Sequence, residues 1–151
     1  MLLDHRGYKN GFVKVDGVRI HYVQVGSDEF PVIVLLHGLQ DCGGSWYRIS
    51  DTLSSEYCVI ALDYRGHGES GREIQGRYSF DGFVSDVEAL VEQLHLGAFT
   101  LIGHGLGGAV GAAFSSIHPE SVEALVVVDA DLSVSNYKFR LVSDDFGESR
   151  R

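Results

Sequence analysis

A glycine-rich turn between two apolar segments constrains this chain more than any other feature. Residues 99–102 are apolar or β-branched, residues 103–108 include four glycines, and a mostly apolar segment continues as far as Ile117. This pattern predicts a buried strand, a turn too tight for side chains, and a buried helix.

The turn fits two different chemistries. As G-x-S-x-G it is a nucleophile elbow, the sharp turn that presents a reacting serine, with Gly105 in the position of that serine. As G-x-G-x-x-G it is a dinucleotide-binding fingerprint through Gly103, Gly105 and Gly108. In that second interpretation Asp129 stands 21 positions after Gly108 and would bind a ribose. The fingerprint usually marks the first strand–helix unit of its domain, whereas here other units precede it, which favours the elbow.

Composition narrows the function classes. The chain has 151 residues, enough for one domain with a real core, and a formal net charge of −9. An acidic balance argues against nucleic acid and anionic membranes as partners. We expect no membrane segment and no signal peptide. Cys42 and Cys58 lack metal-ligand spacing, so we predict no metal, two free thiols and a cytoplasmic location.

Buried apolar runs alternate with helical patterns along most of the chain. A hairpin turn at Asp16-Gly17 joins two strands, and the second strand alternates so that His21 falls on a wet face. Ser79 is the expected N-cap of a helix that Gly97 ends. Further buried strands are expected at 32–36, 57–62 and 122–128. The prediction is an α/β fold with a mostly parallel, doubly wound sheet and an N-terminal antiparallel hairpin.

Three motifs resemble the α/β-hydrolase superfamily, over about residues 11–129. They are Leu35-Leu36-His37-Gly38, the stretch 63–70 with the sequence DYRGHGES, and Gly103-His104-Gly105-Leu106-Gly107-Gly108. The resemblance implies a serine esterase-like hydrolase that needs no cofactor and acts on a small acyl substrate. It also implies that the backbone N–H groups of Leu106 and Leu39 form an oxyanion hole, the pair of donors for a negatively charged oxygen. His37 and His104 would then support the two loops.

Two departures from the pattern leave the activity open. Gly105 has no hydroxyl, so the serine route is absent at this position. The superfamily places its catalytic histidine after the acid, and all seven histidines of this chain precede Asp129. We therefore expect an inactive form. A non-catalytic binding or scaffold subunit and a dinucleotide-binding module are the alternatives. Cys42 is a poor substitute nucleophile because no histidine can be assigned to it.

The resemblance further implies strands and helices beyond those in this sequence. We divide the chain into a tail at 1–10, an incomplete core at 11–129, and a tail or start of a lid at 130–151. Residues 137–141 give a weak strand signal. Asp129 is a candidate acid, a ribose ligand or a helix cap. An uncovered strand at 122–128 would pair with a second copy or with a complementary chain.

Overall fold

One mixed sheet of six strands forms the centre of the molecule. The structure is a computed structural model that describes residues 7–74, 76 and 78–134. The strands are β1 (Lys9–Val15), β2 (Val18–Val25), β3 (Val32–Leu36), β4 (Cys58–Leu62), β5 (Phe99–His104) and β6 (Val122–Val128). The helices are α1 (Tyr47–Leu53), α2 (Phe80–Gln93) and α3 (Leu106–Ile117), with short 3-10 turns at Gly43–Trp46 and Leu132–Val134.

The strand order is β1-β2-β4-β3-β5-β6. β1 pairs with β2 and β2 with β4 in antiparallel register, and the remaining pairs are parallel. The predicted mostly parallel sheet with an antiparallel hairpin at its start is therefore confirmed. Because parallel strands end at the same edge, the loops after β3, β4, β5 and β6 come together there.

The two faces of the sheet are covered by different helices. On one face α2 and α3 pack on alternate strand residues, among them Val34, Leu36, Ile60 and Leu62. On the other face the segment around α1, including Trp46, packs on strand residues in the intervening positions. The period-2 alternation of a strand separates the two cores.

The predicted start of α2 is confirmed, and its predicted end is wrong. The Ser79 side chain accepts a hydrogen bond from the Gly82 N–H at 3.1 Å, which caps the helix. The helix ends at Gln93, and His95 rather than Gly97 adopts the left-handed conformation, with φ of 52°. Hydrogen bonds from the amides of His95 and Leu96 back to Glu92 and Val91 form a Schellman motif that closes the helix before Gly97 is reached.

Two burial predictions also need correction. His21 is only 3% exposed, because its ring is enclosed by a polar network described below. Strand β6 is mostly exposed along its length, including Val126 at 45%. It lies at the edge of the sheet, with β5 on one side only. The tail at 137–141 lies outside the described residues.

In the part of the chain that the structure describes, no helix has the length and apolar character needed to cross a membrane.

Candidate functional site

A single residue makes the turn between β5 and α3. β5 ends at His104 and α3 begins at Leu106, so Gly105 alone reverses the chain, with φ of 53° and ψ of −119°. The Gly105 N–H donates to the Val128 carbonyl at 3.0 Å, which ties the turn to β6. Residues with side chains rarely adopt such a conformation, and glycine does so at little cost.

The other glycines of the turn are required by close backbone packing. A β-carbon on Gly103 would collide with the backbone of Gly107, and one on Gly107 would collide with the carbonyl oxygen of Leu36. A β-carbon on Gly108 would lie 2.6 Å from the Cβ of Ala130. These three glycines therefore let α3 approach the sheet.

Gly105 differs from its neighbours because it has room for a side chain. The nearest atom to a β-carbon built on Gly105 is the Cα of Gly38, at 3.7 Å, an ordinary van der Waals distance. A side chain at this position would meet the loop that follows β3. A residue with a side chain at position 105 would thus have a strained backbone conformation but no steric clash.

The loop after β3 is held by its own carbonyl groups. The Gly38 carbonyl oxygen accepts hydrogen bonds from His37 Nδ1 at 2.7 Å and from the Asp41 N–H at 3.3 Å. Because a trans peptide is planar, the Leu39 N–H points away from that oxygen. Within the described residues, the structure gives the Leu39 N–H no acceptor.

The Leu106 N–H likewise has no acceptor in its own helix. Leu106 is the first residue of α3, and the first four N–H groups of a helix have no partner within the helix. Gly108 and Ala109 instead donate back to the Gly105 carbonyl, at 3.0 and 3.2 Å. The N-terminal end of α3 therefore presents the Leu106 N–H beside the turn, where the helix dipole favours negative charge.

His37 is buried and joins two loops. Its Nδ1 donates to the Gly38 carbonyl, and its Nε2 accepts from the Tyr64 N–H at 3.1 Å, so the ring is neutral with its proton on Nδ1. Burial lowers the pKa of His37, and the neighbouring His67 lowers it further, against the opposing effect of the hydrogen bond to Gly38. His104 is exposed, and its Nδ1 lies 3.0 Å from the β-carbon position of Gly38.

Asp63, at the end of β4, organises the loops that surround the site. Its carboxylate accepts hydrogen bonds from the Gly43 N–H at 2.5 Å, the Glu69 N–H at 2.9 Å and His21 Nδ1 at 2.8 Å. Burial raises the pKa of Asp63, but hydrogen bonds from His21, Glu69 and Gly43 outweigh it and hold the pKa below its ordinary value. Sequence reasoning missed the pair with His21, because alternation alone placed the ring in solvent.

The loop after β4 is also anchored to α2. The Arg65 N–H donates to Asp86 Oδ2 at 2.9 Å, and the guanidinium lies 2.7 Å from Asp86 Oδ1. Asp86 is fully buried. A buried carboxylate needs such partners, so this pair fixes the loop relative to the helix.

An apolar cavity of about 400 Å³ opens beside the turn. Gly105 forms part of its wall, and the other walls include Leu39, Tyr78, Phe80, Phe83, Leu106 and Ala109. Leu39 and Leu106, whose N–H groups have no acceptor among the described residues, thus line one cavity. Its lining suits an apolar small molecule that has one polar group.

Asp129 follows β6 directly, at an exposed position with φ of 47°. The carbonyl of its neighbour Val128 accepts from the Gly105 N–H, so Asp129 follows a residue that contacts the turn. The capping bonds at this point go to Asp131, which accepts from the Ser133 N–H at 2.9 Å and from its hydroxyl at 2.6 Å. A role for Asp129 as an acid or as a ribose ligand stays a prediction.

Among residues 7–74, 76 and 78–134, no group of three or more histidine, cysteine, aspartate or glutamate side chains is placed to hold a metal ion. Cys42 is half-buried and Cys58 is buried, and both are free thiols.

Comparison with curated proteins gives relatives of several hydrolase types. The chain is 35% identical over 118 residues to epoxide hydrolase 4 of Mus musculus, which covers 78% of the chain and 33% of that protein. It is 35% identical over 127 residues to fluoroacetate dehalogenase of a Burkholderia species, covering 82% and 41%. A serine hydrolase-like protein of Mus musculus is 36% identical over 106 residues, covering 70% and 34%. The chain thus spans between 33% and 41% of the length of these three relatives.

Solved structures give the same fold. Cfl2 of Burkholderia cenocepacia superposes with a TM-score of 0.78 and 34% identity, over 84% of this chain and 44% of that one. The thioesterase domain of the curacin biosynthetic pathway has a TM-score of 0.78 and 27% identity, over 82% and 46%. Residues 31–148 match the family model described as the alpha/beta hydrolase fold. On this match, and on the turn and sheet described above, the chain belongs to the α/β-hydrolase fold family.

Proposed function

We propose that this chain carries the nucleophile-elbow and oxyanion-hole part of an acyl hydrolase site, in a form without the nucleophile. The substrate class is a carboxylic ester or a related small acyl compound. The conformation of Gly105 carries the proposal, because φ of 53° and ψ of −119° together with open space describe a turn suited to an exposed side chain.

The backbone N–H groups of Leu39 and Leu106 also support the proposal. Leu39 and Leu106 line the same cavity as Gly105, so their donors would converge on an oxygen bound there. Charge develops on a carbonyl oxygen when a nucleophile attacks, and fixed N–H donors stabilise it. This contribution depends on the backbone alone, so it is independent of the residue at 105.

With glycine at position 105, the chain has no nucleophile there and is inactive by this route. Gly105 has no hydroxyl to form an acyl-enzyme. A binding or scaffold subunit that retains the cavity is therefore the second candidate function. The apolar cavity beside the turn supports it equally well.

Ester turnover separates these candidates. The Gly105→Ser variant, expressed at the full length that its gene encodes, should hydrolyse p-nitrophenyl acetate, whereas the Gly105 form should not. Gly97→Ser is the matched control, since Gly97 is exposed, away from the cavity, and free of positive φ. Absence of turnover in the full-length Gly105→Ser protein would favour the binding subunit.

The names of the relatives suggest one further assay. Two of them are named as an epoxide hydrolase and a fluoroacetate dehalogenase. Ring opening of an epoxide occurs at a carbon without a carbonyl group, for which a carboxylate is a suitable covalent nucleophile. The Gly105→Asp variant should therefore be assayed with styrene oxide beside the serine variant. If only the aspartate variant is active, the proposed substrate class changes from an acyl compound to an epoxide or another alkyl compound.

The dinucleotide alternative keeps a simple test. Close packing already explains why residues 103 and 108 are glycines, so these two glycines do not by themselves indicate a phosphate-binding turn. A bound cofactor stabilises the folded state, so NAD or NADP at 1 mM would raise the melting temperature if this alternative held. We expect no change.

Two further proposals concern partners and location. The exposed edge strand β6 supports pairing with a second copy or with a complementary chain. The two free thiols support a reducing compartment such as the cytoplasm.

A further inference from the structure

We propose that His67 is a positioning residue that restrains the Leu39 N–H in its direction through the amide of Gln40. The proposal rests on the proposed function, in which that N–H is an oxyanion donor. His67 lies within the 63–70 motif, and the proposed function gives it no role.

The conformation of Leu39 is set by the two peptide planes on either side of its Cα. Contacts of the Gly38 carbonyl with His37 and Asp41 fix the plane that precedes it. The plane that follows contains the Gln40 N–H, which donates to His67 Nε2 at 3.3 Å. Gln40 has φ of 63°, a conformation that residues with side chains rarely hold without such support. The Leu39 N–H lies in the preceding plane, and the hydrogen bond of the following plane to His67 restrains the rotation about the Leu39 Cα that would turn that N–H.

His67 is itself held in the form that can accept this bond. Its Nδ1 lies 3.1 Å from the Arg65 carbonyl oxygen and must donate to it, which leaves the lone pair on Nε2. The ring also packs between His37, at 5.1 Å between ring centroids, and Phe83, at 6.2 Å. Because the pair of Arg65 with Asp86 anchors this loop to α2, a continuous set of contacts runs from α2 to the Leu39 peptide.

Two variants separate the acceptor from the rest of the ring. His67→Gln places its terminal oxygen near the position of Nε2 and can still accept from Gln40. His67→Asn reaches only the position of Nδ1, so it keeps an amide near the Arg65 carbonyl and loses the contact with Gln40. Each variant is compared with the parent chain by hydrogen exchange at the Leu39 and Gln40 amides, with the melting temperature as a check on folding.

The proposal predicts a split between the variants. Exchange at Gln40 should become about fivefold faster in His67→Asn, the factor that corresponds to one modest hydrogen bond, and should stay near the parent rate in His67→Gln. An unchanged rate in His67→Asn, or the same acceleration in both variants, would overturn it.

A measurement on the unaltered chain covers the case in which a variant does not fold. Long-range ¹H–¹⁵N correlation spectra report which ring nitrogen of His67 carries the proton. A proton on Nδ1 alone at neutral pH supports the acceptor role of Nε2. A proton on Nε2 overturns it.

Catalysis gives the final readout and keeps the two proposals apart. In full-length protein carrying Gly105→Ser, adding His67→Asn should lower kcat for p-nitrophenyl acetate with little change in KM, and His67→Gln should restore it. A rise in KM without a fall in kcat would contradict the positioning role. If Gly105→Ser itself gives no turnover, the proposed function fails, whereas the exchange and tautomer measurements still decide the role of His67.

Discussion

The β-carbon position of Gly105 lies 3.7 Å from the Cα of Gly38, at ordinary contact distance. The turn after β5 therefore contacts the loop after β3, and β3 and β5 are neighbouring strands of the sheet. This distance leaves space for a side chain at the one position of the turn where the conformation is strained. Position 105 can therefore take a side chain without a clash, which is the observation that the proposed function uses.

Placing a serine at this turn should cost stability. Gly105→Ser must hold a side chain at φ of 53°, so we expect the free energy of unfolding to fall by about 1–3 kcal/mol. Urea denaturation measures the change. The control Gly97→Ser lies at an unstrained, open position and should change it by less than about 0.5 kcal/mol. A serine variant clearly more stable than the parent would show that the turn is not strained.

A side chain at a closely packed glycine of the turn should cost stability for a different reason. In Gly107→Ala the new methyl group meets the Leu36 carbonyl, which is backbone and cannot rotate away. We expect a loss of about 1–3 kcal/mol from overpacking, despite the better helix propensity of alanine. Gly44→Ala, whose nearest neighbour is the Cys42 sulfur at 3.4 Å, should be close to neutral. Equal thermal stability of the two variants would contradict the close-packing account.

The low pKa of Asp63 should appear as acid sensitivity. A carboxyl group whose pKa is lowered on folding stabilises the protein above its ordinary pKa of 3.8, and this contribution is lost as the pH falls through and below that value. Asp63→Asn should therefore lose at least about 2 kcal/mol at pH 7, with a smaller difference from the parent near pH 3.

Urea titrations at pH 7, 5 and 3 measure this difference. Asp28→Asn removes an exposed carboxylate paired with Lys9 and should change stability by less than about 0.5 kcal/mol at each pH. A penalty for Asp63→Asn that stays constant from pH 7 to 3 would show that the carboxylate charge is not what stabilises these loops.

The edge strand β6 should mediate association. Val126 is 45% exposed in the middle of an edge strand, so the isolated chain should self-associate at micromolar concentration. Val126→Lys should shift the sedimentation profile toward the monomer, whereas Thr52→Lys, on the exposed surface of α1, should not. A parent chain that sediments as a compact monomer at the same concentration would remove this proposal.

Most of the fold was predictable because its signals are local. The continuous apolar runs of β3 and β4 and the glycine turn before α3 each predict their element without reference to the rest of the chain. The end of α2 was not predictable in this way. Whether His95 or Gly97 closes the helix depends on which residue allows backbone N–H groups to donate to the last carbonyl groups of the helix. A glycine two positions further on gave a stronger but misleading signal.

The candidate site divides in the same way. Gly105, Leu39 and Leu106 could be identified from motifs, since backbone geometry follows from glycine spacing and strand ends. The partners of Asp63 and His67 could not, because His21 and Gln40 lie far from them in sequence, 42 and 27 positions away. Such pairs depend on strand order, which sequence patterns leave open.

The reactivity of a cysteine placed at the turn tests the central claim most directly. In the Gly105→Cys variant, made in a Cys42→Ser background, the pH dependence of alkylation by iodoacetamide gives the pKa of the new thiol. The N-terminus of α3 and the two N–H donors should stabilise the thiolate, so we predict a pKa below the ordinary value of about 8.5. Gly97→Cys in the same background should titrate near that value. A thiol at 105 that titrates at or above it would contradict the account.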